Sequence, residues 1–174
     1  MQIDAGKFWR CLGERAISAT IVTVAGKDGP SGFLGLSATH VSADPPTMVV
    51  SIDKRTSALA DVLSNRHFAV NFLPGEAETT AEAFGCKTAL KGADRFRVGE
   101  WGTLTTGAPI LASALGAFDC EVEDTIDRGG VVIVIDRVVD AISKGTGDPL
   151  IFSAERAFLP SSEAAASPNN LGPG

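Results

Sequence analysis

Short β-branched runs separated by tight turn signals set the rhythm of this chain, and that rhythm limits its fold more than any other feature. "AISATIVTVA" (16–25) reads as a strand, and "GKDGPSG" (26–32) follows it with an Asp-Gly pair and a proline. "GFLGLSATHVSADPP" (32–46) then reads as the returning strand of a hairpin, regular over 33–41, until Asp44-Pro45-Pro46 breaks it. Further strands are expected in "TMVVSID" (47–53), "FAVNFL" (68–73), "ALGAFDCEVEDTID" (114–127), "GGVVIVIDRVVDAIS" (129–143) and "PLIFSAERAF" (149–158). A helical period replaces the alternation in three places only. "DAGKFWRCLG" (4–13) has Asp4 as N-cap with Phe8, Trp9 and Leu12 on one side. "KRTSALADVLSNRH" (54–67) offers Thr56 or Ser57 as a cap and spaces Leu59, Val62 and Leu63 helically. "EAETTAEAFG" (76–85) is a second acidic helix, its Glu76, Glu78 and Glu82 forming a solvated face. Residues 87–109 read as irregular.

Strands outnumber helices and are joined by short turns, so the expectation is a mainly β antiparallel barrel with a few helices rather than a doubly wound sheet. No GxGxxG or GxxxxGK[ST] follows a strand, which removes two common nucleotide-binding folds. One domain is expected over 1–159, and the tail 160–174 has the composition of disorder.

Charge and composition narrow the partners. A net charge of −6 gives no basic face for phosphate neutralisation, so nucleic acid is set aside. No apolar run approaches the ~18 residues of a membrane span, and the start lacks the pattern of a secretory signal; the cytoplasm is the expected compartment. Cys11, Cys86 and Cys120 are scattered and odd in number, with no metal-ligand spacing, so no metal is expected.

Alternation over 33–41 puts Leu34, Leu36 and Ala38 on one face and Phe33, Gly35, Ser37, Thr39 and Val41 on the other. The second face is small and hydroxylated, which leaves room for a flat ligand to approach the backbone. A sheet face packed under a loop or a partner subunit would look the same. "SIDKRTSAL" (51–59) brings Asp53, Lys54 and Arg55 to a helix start near Ser57, a place suited to an anion, or equally an ordinary capped helix with solvated charges. His40 and His67 are the only histidines, there is no tyrosine, and no spacing supports a catalytic triad or a Cys/His pair. His67 opens an apolar strand and reads as structural. So thin an acid–base inventory suits a cofactor that carries its own chemistry, and no catalytic side chain is assigned.

Nine collinear blocks also carry a resemblance. "G-x-x-x-x-S-x-T-x-V-S-x-D-P-P" (32–46), "SIDKRTS" (51–57) and "FAVNFL" (68–73) are followed by "AEAF" (81–84), "ADRF" (93–96), Trp101, "TGAPIL" (106–111), "ALGAFDCEVEDTID" (114–127) and "VVDA" (138–141). The chain thereby resembles the short-chain flavin reductase family, the reductase components of two-component flavin-dependent monooxygenases. The resemblance implies a six-stranded antiparallel Greek-key FMN-binding split barrel, open on one side, assembled as a homodimer with flavin near the interface. It implies transfer of a hydride from NADH or NADPH to FMN or FAD, with reduced flavin passing to a separate monooxygenase. It places the flavin ring against Leu36, Ser37, Ala38 and Thr39, with Ser51, Ile52, Asp53 and Lys54 along its edge. Ser57, with Lys87 as a further contact, would hold the phosphate.

Departures are specific. Members of the family often carry a histidine on the nicotinamide side where Val131 stands here, and a tyrosine where Phe158 stands. A glycine usual before the later "VV" is replaced by the pair Asp136-Arg137. Leu36 and Ala38 replace a commoner Ser or Asn and a commoner Phe. The Val131 substitution motivates two other readings: a non-catalytic flavin-binding or electron-transfer module, and a flavoprotein reducing another acceptor such as a corrinoid or a ferric chelate.

Overall fold

The computed structural model describes residues 3–152 and the backbone of 159–160. Helix α1 (Ala5–Gly13) opens it, with the Asp4 carboxylate accepting from the Lys7 backbone N–H at 2.8 Å as its cap. Strands β1 (Ile17–Ser18), β2 (Thr20–Gly26), β3 (Gly29–Leu34), β4 (Thr39–Ala43) and β5 (Pro46–Asp53) follow. Helix α2 (Leu59–Asn65), strand β6 (His67–Phe72) and helix α3 (Glu78–Phe84) come next. A 3₁₀ turn (Gly92–Arg97) leads to the short hairpin β7 (Trp101–Thr103) and β8 (Pro109–Leu111). Two long strands, β9 (Gly116–Arg128) and β10 (Val131–Ser143), precede β11 (Leu150–Phe152) and β12 (Leu159–Pro160).

Seven strands pair antiparallel in the order β3-β2-β6-β9-β10-β5-β4. The outermost two, β3 and β4, are consecutive in the chain and joined only by residues 35–38. Laid flat, seven strands would hold their edges about 29 Å apart. A link this short reaches roughly 17 Å at full stretch. The sheet therefore has to roll up until its edges nearly meet, which makes a barrel left open along one seam.

The resulting strand count is seven in the main sheet, one more than the six expected. The reason lies in the opening stretch, which is not one regular strand over 33–41. Leu36-Ser37 forms a turn that splits it into β3 and β4 on opposite edges. Residues 16–25 divide as well: β1 leaves the barrel to pair with β11, and β2 stays. The region 87–109, expected to be irregular, contains the 3₁₀ turn and begins the β7–β8 hairpin.

Inward-facing Val22, Val24, Val50, Phe68, Val70 and Val134 fill the barrel, and α2 plugs it through Leu59 and Val62. A second apolar layer outside the sheet joins Ile21 and Leu73 to Ala81 and Phe84 of α3. Asn71 ties the small hairpin on: buried, it accepts from the Leu111 backbone N–H at 2.8 Å and donates to Thr23 Oγ1 at 3.1 Å. Neither Thr56 nor Ser57 caps α2, whose N-cap is Ala58 with no side-chain bond. Those residues form the turn before the helix instead, with the Leu59 N–H reaching the Thr56 carbonyl at 3.1 Å. Among the described residues no helix is long and apolar enough to cross a membrane.

Candidate functional site

A cleft of about 540 Å³ lies at the seam. Its floor is the link Gly35–Leu36–Ser37, one wall comes from Ser51, Asp53 and Thr56, and the other from α1 and the stretch leading to β1. Phe33, Leu34 and Phe152 make much of the remaining surface apolar.

The floor is fixed by its own chemistry. The Gly35 N–H donates to the Thr20 carbonyl at 2.8 Å, and the Thr20 hydroxyl donates back to the Gly35 carbonyl. A Cβ at Gly35 would stand 2.7 Å from Val22 Cγ2, so only glycine lets the backbone lie this close to β2. The Ser37 hydroxyl donates to the Ser51 carbonyl at 2.9 Å and accepts from the Ser51 N–H at 3.1 Å. One side chain thus replaces the ladder bonds lost where the strand breaks. Leu36 and Ser37 both line the cleft, whereas regular alternation puts them on opposite faces; the turn cancels the alternation.

Other residues expected at the site are placed as follows. Ala38 packs against the barrel interior, and Thr39 is exposed at the start of β4, opposite Val49. Ile52 is buried in the barrel, so its side chain faces away from the cleft. Ser51 and Asp53 line the cleft on the opposite face of β5. Hydrogen bonds from the Arg55 guanidinium, at 3.0 Å and 2.7 Å, and from the Arg55 N–H at 2.8 Å hold the Asp53 carboxyl down to about 2. Lys54 reaches across to Asp127 at 2.5 Å and lowers that carboxyl's pKa, while its N–H donates to the Gly130 carbonyl at 3.0 Å. Both bonds tether the tip of the β9–β10 hairpin. Ser57 is exposed in the turn before α2, and Lys87 is exposed just beyond α3. The cleft thus gathers Leu36, Ser37, Ser51 and Asp53, while Ala38, Thr39, Ile52, Lys54, Ser57 and Lys87 are not on its walls.

Val131 pairs with Asp53, and Ile133 with Ser51, so both valine and isoleucine share the outer face with the cleft's rim. Phe158 lies outside the described residues. Sequence reasoning missed Arg15, Ile17 and Thr56 as lining residues, and Trp9 and Leu12 were legible only as an apolar helix side. No local pattern marks a residue that becomes a wall through a fold contact some twenty or more positions away.

As chemistry, the cleft is a binding surface. Among the described lining residues Asp53 is the one carboxylate, kept ionised by Arg55, and none is a histidine or cysteine. His40 is exposed on β4, and Cys120 sits inside the barrel. Among the described residues no cluster of His, Cys, Asp or Glu is arranged to hold a metal.

Residues 15–158 match the family model described as "Flavin reductase like domain". The chain is 37% identical over 142 residues to a Bradyrhizobium diazoefficiens protein named FMN reductase (NADH) RutF, covering 82% of this chain and 76% of that one. The solved Streptomyces globisporus NADH:FAD oxidoreductase SgcE6 superposes with a TM-score of 0.80 at 26% identity, over 90% of this chain and 95% of that one. BorF, the flavin reductase component of a bacterial two-component tryptophan halogenase, gives a TM-score of 0.81 at 25% identity, over 90% and 99% of the two chains.

Proposed function

This chain belongs to the flavin reductase-like family, and from that premise we infer that the seam cleft is where flavin and reduced nicotinamide meet. The activity is that of a flavin reductase using NADH, with flavin and the nicotinamide nucleotide as its two ligands. The observation that carries the assignment to the cleft is its composition: a floor of Gly35, Leu36 and Ser37, apolar walls, hydroxyls at the rim and, among the described lining residues, no histidine or cysteine. Such a site fits a flat redox ring, and bound flavin supplies the chemistry itself by accepting the hydride.

The protein's residues then have positioning roles. Gly35 lets the floor pack against β2, where a Cβ would meet Val22. The Ser37–Ser51 bonds keep that floor from shifting. Leu36 and Phe33 exclude water from one face of the ligand. Thr56 lines the cleft and Ser57 follows it in the turn before α2, so both offer hydroxyls to the phosphate, with Lys54 and Lys87 as the cations the resemblance implies. Val131 faces the donor side, where it offers shape but no polar contact. The naming of the Bradyrhizobium relative favours FMN as the flavin.

Two further expectations belong to this reading. Ile126, Ile133, Ile135 and Val49 form an apolar stripe on the outer face of β9, β10 and β5. A continuous "VVIVI" run suits a strand buried on both faces, and a homodimer would bury this one. Reduced flavin would leave for a separate oxygenase or halogenase, as the naming of BorF suggests for that protein.

The test is anaerobic addition of NADH to the protein with FMN. The expected result is bleaching of the flavin's visible band at a rate that scales with protein. Binding of FMN with no bleaching by either nicotinamide donor would instead support a non-catalytic flavin module, which Val131 motivates.

A further inference from the structure

The second wall of the cleft is unexplained by a flavin ring and its phosphate, and its composition is distinctive. Trp9 projects from α1 with 65% of its surface exposed, although it lines the cleft. No residue of α1 is buried, so this indole is not held in a core. Arg15, on the segment between α1 and β1, is the one cation among the described lining residues. No hydrogen bond or ion pair engages it among the described residues. Asp53, the only carboxylate among the described lining residues, is already taken up by Arg55, so Arg15 has no anionic partner among them. Leu12 and Ile17 add apolar surface to the same cleft.

An exposed indole and a guanidinium with no partner among the described residues, lining one apolar cleft, are the recognition chemistry of a base with a phosphate attached. The indole stacks on a purine face, and the guanidinium forks onto phosphate oxygens. Val131, opposite Asp53 on the nicotinamide side, carries no polar atom to orient the donor. A donor held loosely at its reacting end gains its alignment from contacts made remotely.

We propose that Trp9 and Arg15 form a subsite for the adenosine-phosphate half of a dinucleotide. This rests on the cleft being the flavin reductase site. Two ligands carry that half, NADH and FAD, and the experiment separates them.

The full-length protein is assayed with NADH against reduced nicotinamide mononucleotide as donors, and with FAD against FMN as acceptors, for Arg15→Gln, Trp9→Ala and Trp9→Phe. With FMN as acceptor, Arg15→Gln and Trp9→Ala should each reduce the preference for NADH over the mononucleotide donor, as a ratio of kcat/KM, by about ten-fold. Trp9→Phe should restore most of the loss, since phenylalanine still stacks. If the preference for FAD over FMN falls instead, the adenosine half belongs to the flavin, and the subsite stands. Equal losses with all four ligands, or none, would overturn it, as would a Trp9→Ala variant that changes only the oligomeric state. Failure of the parent protein to oxidise NADH with any flavin would overturn the reductase reading instead, a different result.

Discussion

Two aspartates on neighbouring strands, each with no exposed surface, meet opposite fates in this barrel. Asp119 on β9 lies on the outer side of the sheet against the β7–β8 hairpin. There it accepts from the Thr106 N–H at 2.7 Å and the Thr106 hydroxyl at 2.5 Å. Asp136 on β10 points inward with Val132 and Val134, between its register partners Met48 and Val122, and neither of its oxygens finds an N–H or O–H donor among the described residues. Burial pushes its carboxyl up to about 6; the Cys120 thiol beside it holds it down in part, and the Glu123 carboxylate adds to the rise. Burial and the same aspartate push the Cys120 thiol up in turn. A buried carboxylate stabilises a fold where donors meet it and costs stability where they do not.

The contrast predicts opposite responses. Asp119→Ala, which strands two donors, should lower unfolding stability by about 3 kcal/mol at neutral pH, read by urea denaturation. A loss below ~1 kcal/mol would mean that water serves Thr106 as well as the carboxylate does.

Asp136→Val should act the other way and depend on pH. The Asp136 pKa is raised from 3.8 in the unfolded chain to about 6 in the fold. The folded state therefore binds the proton more tightly, and stability falls as pH rises from about 4 through 6. At pH 8 the parent carries the full penalty, and the valine variant should be more stable by about 2 kcal/mol. At pH 4 most of that gain should be gone. A pH-independent difference would place the aspartate in contact with solvent.

The smallest effect is expected at Cys120. Cys120→Ser supplies Asp136 with a stronger donor and should flatten the pH dependence by less than ~1 kcal/mol. An unchanged slope would show that the thiol's neighbour is out of reach of position 120.

The elements themselves were largely legible. Asp4 caps α1 as read, β10 falls within the long run assigned to it, β9 passes the end of its run by one residue, and β5 and β6 match their quoted segments within a residue. The site was legible in part. Ser37, Ser51 and Asp53, which the resemblance set beside a flavin, line the seam cleft. Ile52, read in one block with Ser51 and Asp53, has its side chain in the barrel core, because a strand sends alternate side chains to opposite faces. Thr56 and Ser57 were read as caps because their chemistry allows it, yet the chain there forms a turn that satisfies the backbone without them.

By itself, the sequence determined that this chain makes an antiparallel β structure around a β-branched core, and its order of motifs was enough to indicate a flavin reductase. Period and turn chemistry are local, so they survive being read one residue at a time. The tertiary structure alone decided that a four-residue link rolls seven strands into a barrel with an open seam, and that α1 supplies a wall with Trp9 and Arg15. It alone decided that one buried aspartate is satisfied while its neighbour is not. Each of these depends on which atoms stand opposite a side chain, and hydrogen bonding and desolvation are set by those distant partners, not by the residue's neighbours along the chain.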